Sequence, residues 1–177
     1  TLGTPQNTAI RKYLNDHKTP QLFVASGADK WGDNQHYPWT IGWQPSYQVE
    51  ARIYAKYILK NKPNAKIALL YQNDDFGKDY LTGLKDGLGA SAAKMLVSTQ
   101  TYETSEPTVD SQIVSLKGSG ADTLVVAAIP KFAAQSIHKV AELGWKPLFF
   151  MTNVSVSVGS VMKPAGLENG VGIITGA

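Results

Sequence analysis

The residue types that favour ligand binding are concentrated in four short loops, each lying between an apolar run and a helical pattern. The loops are Ser26-Gly27-Ala28-Asp29, Asn73-Asp74-Asp75-Phe76-Gly77, Ile129-Pro130-Lys131-Phe132 and Thr152-Asn153-Val154-Ser155. Small residues let the backbone approach a ligand closely, and free N–H groups at helix starts favour a carboxylate or another anion. The pattern predicts a small-molecule site assembled from loops.

Two aromatic residues in or near these loops have two interpretations each. Phe76 is apolar in a turn otherwise made of Asn, Asp and Gly, so it either pins the loop by a hydrophobic contact or stacks on a ligand. Trp43 lies just before Gln44-Pro45-Ser46, where the character of the sequence changes. Its ring either packs at a hinge or forms a pocket wall.

These loops need strands that end, and helices that begin, at one edge of a sheet. Short apolar runs at 21–25, 66–71, 95–101, 123–129, 147–151 and 171–175 are predicted strands, and 39–43 is a further candidate. Continuous apolar runs suit strands covered on both faces. Strand–helix alternation requires crossover connections and a parallel sheet, whose binding residues follow the carboxyl ends of the strands. The predicted fold class is therefore α/β.

Helical patterns cover 4–16, 47–59, 77–88 and 131–143, with a further helix starting at Ser105-Glu106-Pro107 and a short one near 158–162. Ile10, Tyr13 and Leu14 share one face of the first helix, and Val49, Ile53, Tyr57 and Ile58 have helical spacing in the second. The change near Gln44 divides the chain into residues 1–44, which resemble a piece of one α/β unit, and residues 45–177, which form a more regular second unit.

The composition argues against several functional classes. The chain has no cysteine, which excludes disulfides, thiol nucleophiles and cysteine metal sites. Its net charge of +3 comes without a basic cluster, which disfavours nucleic-acid binding. The histidines are far apart, the Asp74-Asp75 pair fits a helix cap better than a calcium loop, and no nucleophile elbow is found. We therefore predict no catalytic residues, no metal, no cofactor and no enzymatic activity.

Four motifs taken together resemble a known family. They are Gln72-Asn73-Asp74-Asp75-Phe76-Gly77-Lys78-Asp79-Tyr80, Gln44-Pro45-Ser46-Tyr47, Thr108 to Lys117, and Ala165 to Val171. As a set, they are similar to the branched-chain amino-acid-binding type of ABC-transporter substrate-binding protein. The resemblance runs along essentially the whole chain. It implies the three-layer, parallel-sheet lobes of the type I periplasmic-binding fold, and a secreted periplasmic receptor that closes two lobes over its ligand and delivers it to an ABC permease in the membrane.

Members of this family are longer than 177 residues. The resemblance implies that residues 1–44 are a partial first lobe with an interdomain crossing, and that residues 45–177 form most of the second lobe. No signal segment opens the chain, so we expect a piece of a longer protein. An unpaired first-lobe strand in such a piece would favour dimerisation or domain swapping.

The resemblance also assigns roles to residues. The Ser26 to Asp29 turn matches the loop that grips a ligand carboxylate, Phe76 matches the aromatic residue that covers the ligand, and the Ile129-Pro130 turn matches another wall. The predicted ligand-binding residues are Ser26, Gly27, Ala28, Asp29, Trp43, Asp75, Phe76, Ile129, Pro130 and Asn153.

One departure from the family pattern bears on the ligand. Amino-acid receptors of this type usually supply an acid after the strand equivalent to 148–151, where this chain has Thr152-Asn153-Val154-Ser155. A buried ammonium without a partner is costly. We therefore predict a non-amino carboxylate, aromatic or aliphatic. Asp29 keeps an amino acid as the alternative, because its carboxylate is a second candidate for the counter-charge.

Two other functions stay open at this point. The first is a ligand-sensing domain of a regulator or receptor with the same fold, for which a DNA-binding helix pair or a transmembrane segment elsewhere in the protein would argue. The second is a flavodoxin-like enzyme domain, for which turnover or a coloured cofactor would argue.

Overall fold

The computed structural model describes residues 1–176 and contains two parallel sheets. The smaller sheet pairs β1 (Gln21–Val24) with β2 (Thr40–Gly42). The larger sheet contains β3 (Ile67–Gln72), β4 (Leu96–Tyr102), β5 (Thr123–Ala127) and β6 (Leu148–Met151), in the spatial order β4-β3-β5-β6. All four strand pairs are parallel, which confirms the predicted α/β class.

The helices alternate with these strands along the chain. They are α1 (Thr4–Asp16), α2 (Tyr47–Asn61), α3 (Asp75–Leu88), α4 (Ala92–Met95), α5 (Asp110–Gly118), α6 (Pro130–Glu142) and α7 (Lys163–Ala165). Short 3₁₀ segments occupy Asp29–Gly32, Gly89–Ser91, Asn153–Ser155 and Leu167–Gly170, and a π-helical turn occupies Val158–Met162. Across residues 1–176, every helix is too short or too polar to cross a membrane.

The larger sheet is the middle of three layers. Because successive strand residues point to opposite faces, Leu69 and Val125 pack against α2 and α3, whereas Leu70 and Leu124 pack against α5 and α6. Each of these side chains is at most 1% exposed. The continuous apolar runs therefore correspond to strands buried on both faces, as predicted.

Two apolar helix faces found in the sequence are exposed. In α1, Ile10 and Tyr13 face outward, while the buried residues of this helix are polar. In α2, Val49, Ile53 and Tyr57 are also exposed. The buried face of α2 consists instead of Glu50, Ala51, Tyr54, Ala55 and Ile58, together with Tyr47 at its start. The small alanines let α2 pack closely against its neighbours.

One predicted strand is absent, and one predicted helix begins later than expected. Residues 171–175 do not form a strand, since only Ile174 makes a bridge, to Phe150. Gly172 has a φ of +87°, which interrupts an extended run just before the bridge. Helix α5 begins at Asp110 and not near Ser105, because the residue before a proline disfavours helical angles and Glu106 instead closes a turn onto the backbone N–H of Glu103.

Candidate functional site

A cavity of about 410 Å³ lies at the carboxyl ends of the strands. Each of the six strands contributes one lining residue at or just past its end, in chain order Ala25, Gln44, Gln72, Thr104, Ile129 and Val154. The remaining lining residues are Leu2, Gly3, Thr4, Pro5, Gln6, Tyr47, Phe76 and Pro130. The cavity therefore occupies the place where parallel α/β sheets bind their ligands, and its volume suits a small molecule.

Aromatic side chains form an apolar wall of this cavity. The ring centroids of Tyr47 and Phe76 are 4.8 Å apart, and Tyr80 lies 5.4 Å and 5.6 Å from them. Phe76 is 3% exposed and also lines the cavity. Its ring therefore packs against Tyr47 and Tyr80 and also contributes to the cavity wall. Trp43, by contrast, is 65% exposed and lies outside the lining.

Two helices begin at the cavity without a side-chain cap. Helix α1 follows Gly3 and helix α6 follows Ile129, and neither residue accepts a capping hydrogen bond on its side chain. Helices α2 and α3 are capped instead by Ser46, which accepts from Val49 N, and by Asp74, which accepts from Gly77 N. Uncapped N–H groups and the helix dipole favour negative charge. These helix starts therefore place a partial positive charge beside a lining that contains no lysine or arginine, although Pro5 and Pro130 have no N–H to contribute.

A buried chain of hydrogen bonds fixes one polar lining residue. The backbone N–H of Ile129 donates to Tyr102 Oη (3.0 Å), and that hydroxyl donates to Gln72 Oε1 (2.9 Å). Gln72 Nε2 donates in turn to Asp74 Oδ2 (2.6 Å). Burial raises the pKa of Asp74 and raises that of Tyr102 well above its usual range. The start of α6 is thereby tied to the cap of α3, and the Gln72 amide is held in one orientation.

Gln44 differs from Gln72 in its hydrogen bonding. Its Oε1 atom is buried and has no hydrogen-bond partner among the described residues. Gln44 lies in the segment between β2 and α2 and lines the cavity.

The predicted Ser26 to Asp29 turn lies beside the cavity. Ser26 Oγ is 2.6 Å from Oγ1 of Thr4, a lining residue, and accepts a bond from Ala28 N at 3.3 Å. Gly27 lies under the ring of Tyr47, where a Cβ would come within 2.8 Å of two ring atoms. The turn therefore supports two lining residues from behind, namely Thr4 and Tyr47.

Asp29 and Asp75 join the smaller sheet to α3. The backbone N–H of Asp29 donates to Asp79 Oδ2 (2.9 Å), and its carboxylate accepts from Ser46 Oγ. Asp75 forms an ion pair with Lys30, with 2.7 Å between Nζ and Oδ2. Burial raises the pKa of Asp79. Both predicted site residues are thus engaged in contacts between two parts of the chain.

Asn153 is held by a buried acid that the sequence analysis did not identify. Its backbone N–H and Nδ2 donate to Glu50 Oε1 (2.9 Å) and Oε2 (2.7 Å). Glu50 is 5% exposed, and burial raises its pKa. The hydroxyl of Tyr54 lies between Glu50 and the backbone oxygen of Met151, 2.8 Å from the latter. The spacing of Glu50 and Tyr54 beside two alanines was the available signal for this second buried face.

Of the predicted site residues, the structure brings Phe76, Ile129 and Pro130 together in the lining. Ser26, Gly27, Ala28, Asp29, Trp43, Asp75 and Asn153 lie outside it. The ligand-binding roles of all ten stay predictions. Thr4 and Gln44 also line the cavity and were not predicted from the sequence, although Thr4-Pro5 after a glycine is a typical helix start. Over residues 1–176, no group of three or more His, Cys, Asp or Glu side chains could hold a metal ion.

Solved structures share this architecture. A substrate-binding periplasmic protein from Ralstonia solanacearum superposes with a TM-score of 0.84 at 22% identity, covering 97% of this chain and 48% of that one. A branched chain amino acid ABC transporter protein from Thermus thermophilus with bound valine gives 0.81 at 16%, covering 98% and 44%. A fatty acid ABC transporter substrate-binding protein from Thermomonospora curvata gives 0.75 at 19%, again covering 98% and 44%.

At these identities the structures establish the fold, which is that of type I periplasmic binding proteins. The chain spans slightly less than half the length of each of them. A sequence comparison with curated proteins gave no significant match. The model of the periplasmic binding protein family matches residues 1–177, and the chain therefore belongs to that family.

Proposed function

We propose that this chain is part of the extracytoplasmic receptor of an ABC importer, and that its cavity binds a small organic carboxylate without an amino group. The observation that carries the proposal is the convergence of all six strand ends on one cavity of about 410 Å³. Catalysis would require an activated nucleophile or a general acid–base pair. The lining contains neither, and instead combines apolar walls with helix starts.

The charge pattern of the lining supports a non-amino ligand. No Asp, Glu, Lys or Arg side chain is among the lining residues. A ligand carboxylate would accept from the free N–H groups at the starts of α1 and α6, whereas an ammonium would be buried without a counter-charge. Asp29, the alternative counter-charge, accepts from Ser46 Oγ and lies outside the lining. The apolar body of the ligand would pack on Phe76 and Ile129.

Two of the similar structures show that the fold accepts different acids. The Thermus thermophilus branched chain amino acid ABC transporter protein has bound valine, and the Thermomonospora curvata protein is a fatty acid ABC transporter substrate-binding protein. One ligand carries an ammonium and the other class does not. We infer that the side chains lining the site decide whether a protein with this fold binds an acid with or without an ammonium group. In this chain, the lining side chains carry no charge.

The contacts between residues 27–30 and α3 suggest how binding would be coupled to closure. The Lys30–Asp75 ion pair and the Asp29–Asp79 hydrogen bond join residues 29–30 to helix α3 beside the cavity. A ligand touching both α1 and α6 would stabilise this closed arrangement, because it binds that state better than an open one. A permease that recognises the closed form would then receive the ligand.

A thermal-shift panel on the complete protein that contains this chain tests the proposal. Benzoate and hexanoate should raise the melting temperature, whereas phenylalanine and leucine should not, since a ligand at 100 times its Kd adds about 2.7 kcal/mol to the free energy of unfolding. Stabilisation by the amino acids alone would contradict the ligand class. Absence of stabilisation by either set would contradict the receptor function.

Thr104 offers a matched pair of variants for the same panel. It is exposed at the cavity edge, so substitution is compatible with folding. Thr104→Glu places a negative charge at the cavity and should abolish the shift produced by carboxylates. Thr104→Gln has nearly the same size without charge and should keep most of it. Equal shifts in both variants would mean that the acids bind elsewhere.

A further inference from the structure

We infer that the ligand is a hydroxy-carboxylate whose hydroxyl group bonds to Gln44, an assignment that rests on the proposed function. Gln44 Oε1 is buried without a hydrogen-bond partner, and Gln44 lines the cavity. Buried polar side-chain atoms nearly always have a partner, and an unsatisfied one destabilises the protein because it has lost its bonds to water. A bound ligand that donates to this oxygen would recover that cost, so the site favours a donor there.

The other buried side-chain atoms without partners lie elsewhere. They are Arg11 Nε, Trp31 Nε1 and Gln135 Oε1, and none of these three residues lines the cavity. Within the described part of the lining, Gln44 is thus the one residue with an unsatisfied buried oxygen. The buried oxygen without a partner therefore belongs to a residue of the cavity wall, whereas the other three atoms belong to residues away from the cavity.

Apart from the hydroxyl of Tyr47, the other polar side chains of the lining are already engaged or exposed. Gln72 Oε1 accepts from Tyr102, and Thr4 Oγ1 is bonded to Ser26 Oγ. Gln6 and Thr104 are exposed, so water can satisfy them. For a polar group on the ligand other than its carboxylate, Gln44 therefore offers a buried acceptor that no other group of the described chain occupies.

Three kinds of donor could approach Gln44, and a hydroxyl fits best. An ammonium requires a counter-charge, which the neutral lining lacks. An N–H group only donates, so it fits a single orientation of the Gln44 amide. A hydroxyl both donates and accepts, so it pairs with either end of the amide. The lining thus separates two functions, with helix starts for the carboxylate and Gln44 for the hydroxyl.

Calorimetric titration of matched acids against the complete protein tests this assignment. The hydroxy acids are 3-hydroxybenzoate, 4-hydroxybenzoate and 6-hydroxyhexanoate, and their parents are benzoate and hexanoate. We expect at least one hydroxy acid to bind about fivefold or more tightly than its parent, which corresponds to satisfying one buried acceptor. In Gln44→Met, which keeps the side-chain length but cannot form the bond, this ratio should fall to about one.

Gln135→Met is the matched control. It removes another buried oxygen without a partner, in α6 and outside the cavity, and should keep the hydroxyl preference. If Gln44→Met does not fold, 4-methoxybenzoate gives an independent measurement on the unaltered protein. Its ether cannot donate, so it should bind more weakly than 4-hydroxybenzoate.

The outcomes separate this inference from the proposed function. Binding of benzoate or hexanoate without any preference for a hydroxy partner would overturn the inference alone. So would a preference that survives in Gln44→Met, or tighter binding of 4-aminobenzoate or 6-aminohexanoate. Failure of every acid to bind would overturn the proposed function, and the inference would fall with it.

Discussion

Two regions of this molecule contain similar apolar runs and bury them differently. In the four-stranded region (residues 66–151), every residue of β5 is buried. In the N-terminal region (residues 1–44), β1 has only its two end residues buried, and Leu22 and Phe23 are 61% and 66% exposed. Strand β5 has a neighbour on both sides and helices on both faces, whereas β1 pairs with β2 alone. Burial is therefore set by the neighbours and not by the run itself.

The interiors of the two regions also differ in chemistry. The N-terminal region buries polar side chains that bond to one another, with Gln21 Nε2 donating to Asn7 Oδ1 (3.2 Å) and Thr40 Oγ1 donating to Gln21 Oε1 (3.1 Å). Each such bond adds a net stability of only about 0.5–1.5 kcal/mol. The four-stranded region relies on apolar packing, in which one large side chain contributes more. The difference predicts a graded set of mutational effects.

Truncation of one leucine in each region should give the largest contrast. Leu124→Ala in β5 leaves a cavity in a fully buried position and should cost roughly 2–5 kcal/mol of unfolding free energy. Leu22→Ala in β1 removes a side chain that is exposed in this 177-residue chain, and in this chain it should change the unfolding free energy by no more than about 0.5 kcal/mol. Denaturant unfolding of both variants measures the two values, and comparable losses would show that the regions do not differ in packing.

The second largest change in unfolding free energy is expected at Glu50, the buried acid of α2. Glu50→Ala leaves the backbone N–H and the Nδ2 of Asn153 without their acceptors, which should cost roughly 1–3 kcal/mol. Glu50→Gln should cost less, since the Asn153 amide can turn over to match it. A larger loss in Glu50→Gln than in Glu50→Ala would contradict this account of the contact.

Glu50 also predicts a pH dependence with a definite sign. Because burial raises its pKa, the folded protein retains a proton that the unfolded chain has released above pH 4.5. The unfolded state then binds fewer protons, so this contribution to stability is complete below that pH and is lost as the pH rises through the folded pKa. Unfolding curves of the wild type and Glu50→Gln over that range should converge as the pH rises, and parallel curves would contradict the raised pKa.

The sequence was sufficient for the regular parts of the larger sheet. Strands β3 and β5 were predictable because buried strands leave continuous apolar runs. The start of α3 was predictable because Asp74 caps it and Asp75 lies in its first turn. The pairing of Gln21 with Asn7, or of Glu50 with Asn153, was not predictable, since such contacts join residues that are distant in sequence.

The candidate site was predictable only in part, for the same reason. Phe76, Ile129 and Pro130 follow recognisable strands, and they line the cavity. Gln44 follows a three-residue strand, β2, and Thr4 is the first residue of α1, so neither belongs to a loop that follows a recognisable strand. Their convergence depends on strand order and on how α1 meets the sheets, which local sequence does not specify.

A fourth prediction addresses the polar interior of the N-terminal region. Gln21→Ala removes the bonds to Asn7 and Thr40, but Thr40 Oγ1 keeps its bond from Asn15 Nδ2 (2.8 Å). The loss should therefore be about 1 kcal/mol and should appear as faster amide exchange within residues 1–44. Gln100→Ala in β4 removes one long, exposed bond to Ser115 (3.3 Å) and is the control. Equal effects would mean that the buried network does not hold this region together.

The smallest effect concerns the ion pair that joins the two regions. Lys30 Nζ lies 2.7 Å from Asp75 Oδ2, and the side chains are 27% and 52% exposed, so Asp75→Asn should cost less than about 1 kcal/mol. High salt should shrink the loss, because it screens exposed pairs. Asp16→Asn removes a pair within α1 and should leave amide exchange at the start of α3 unchanged, whereas Lys30→Gln, which removes the ion pair but keeps Asp75 in the first turn of α3, should accelerate it. An equal response of both variants there would show that the Lys30–Asp75 pair is a surface contact that does not couple the regions.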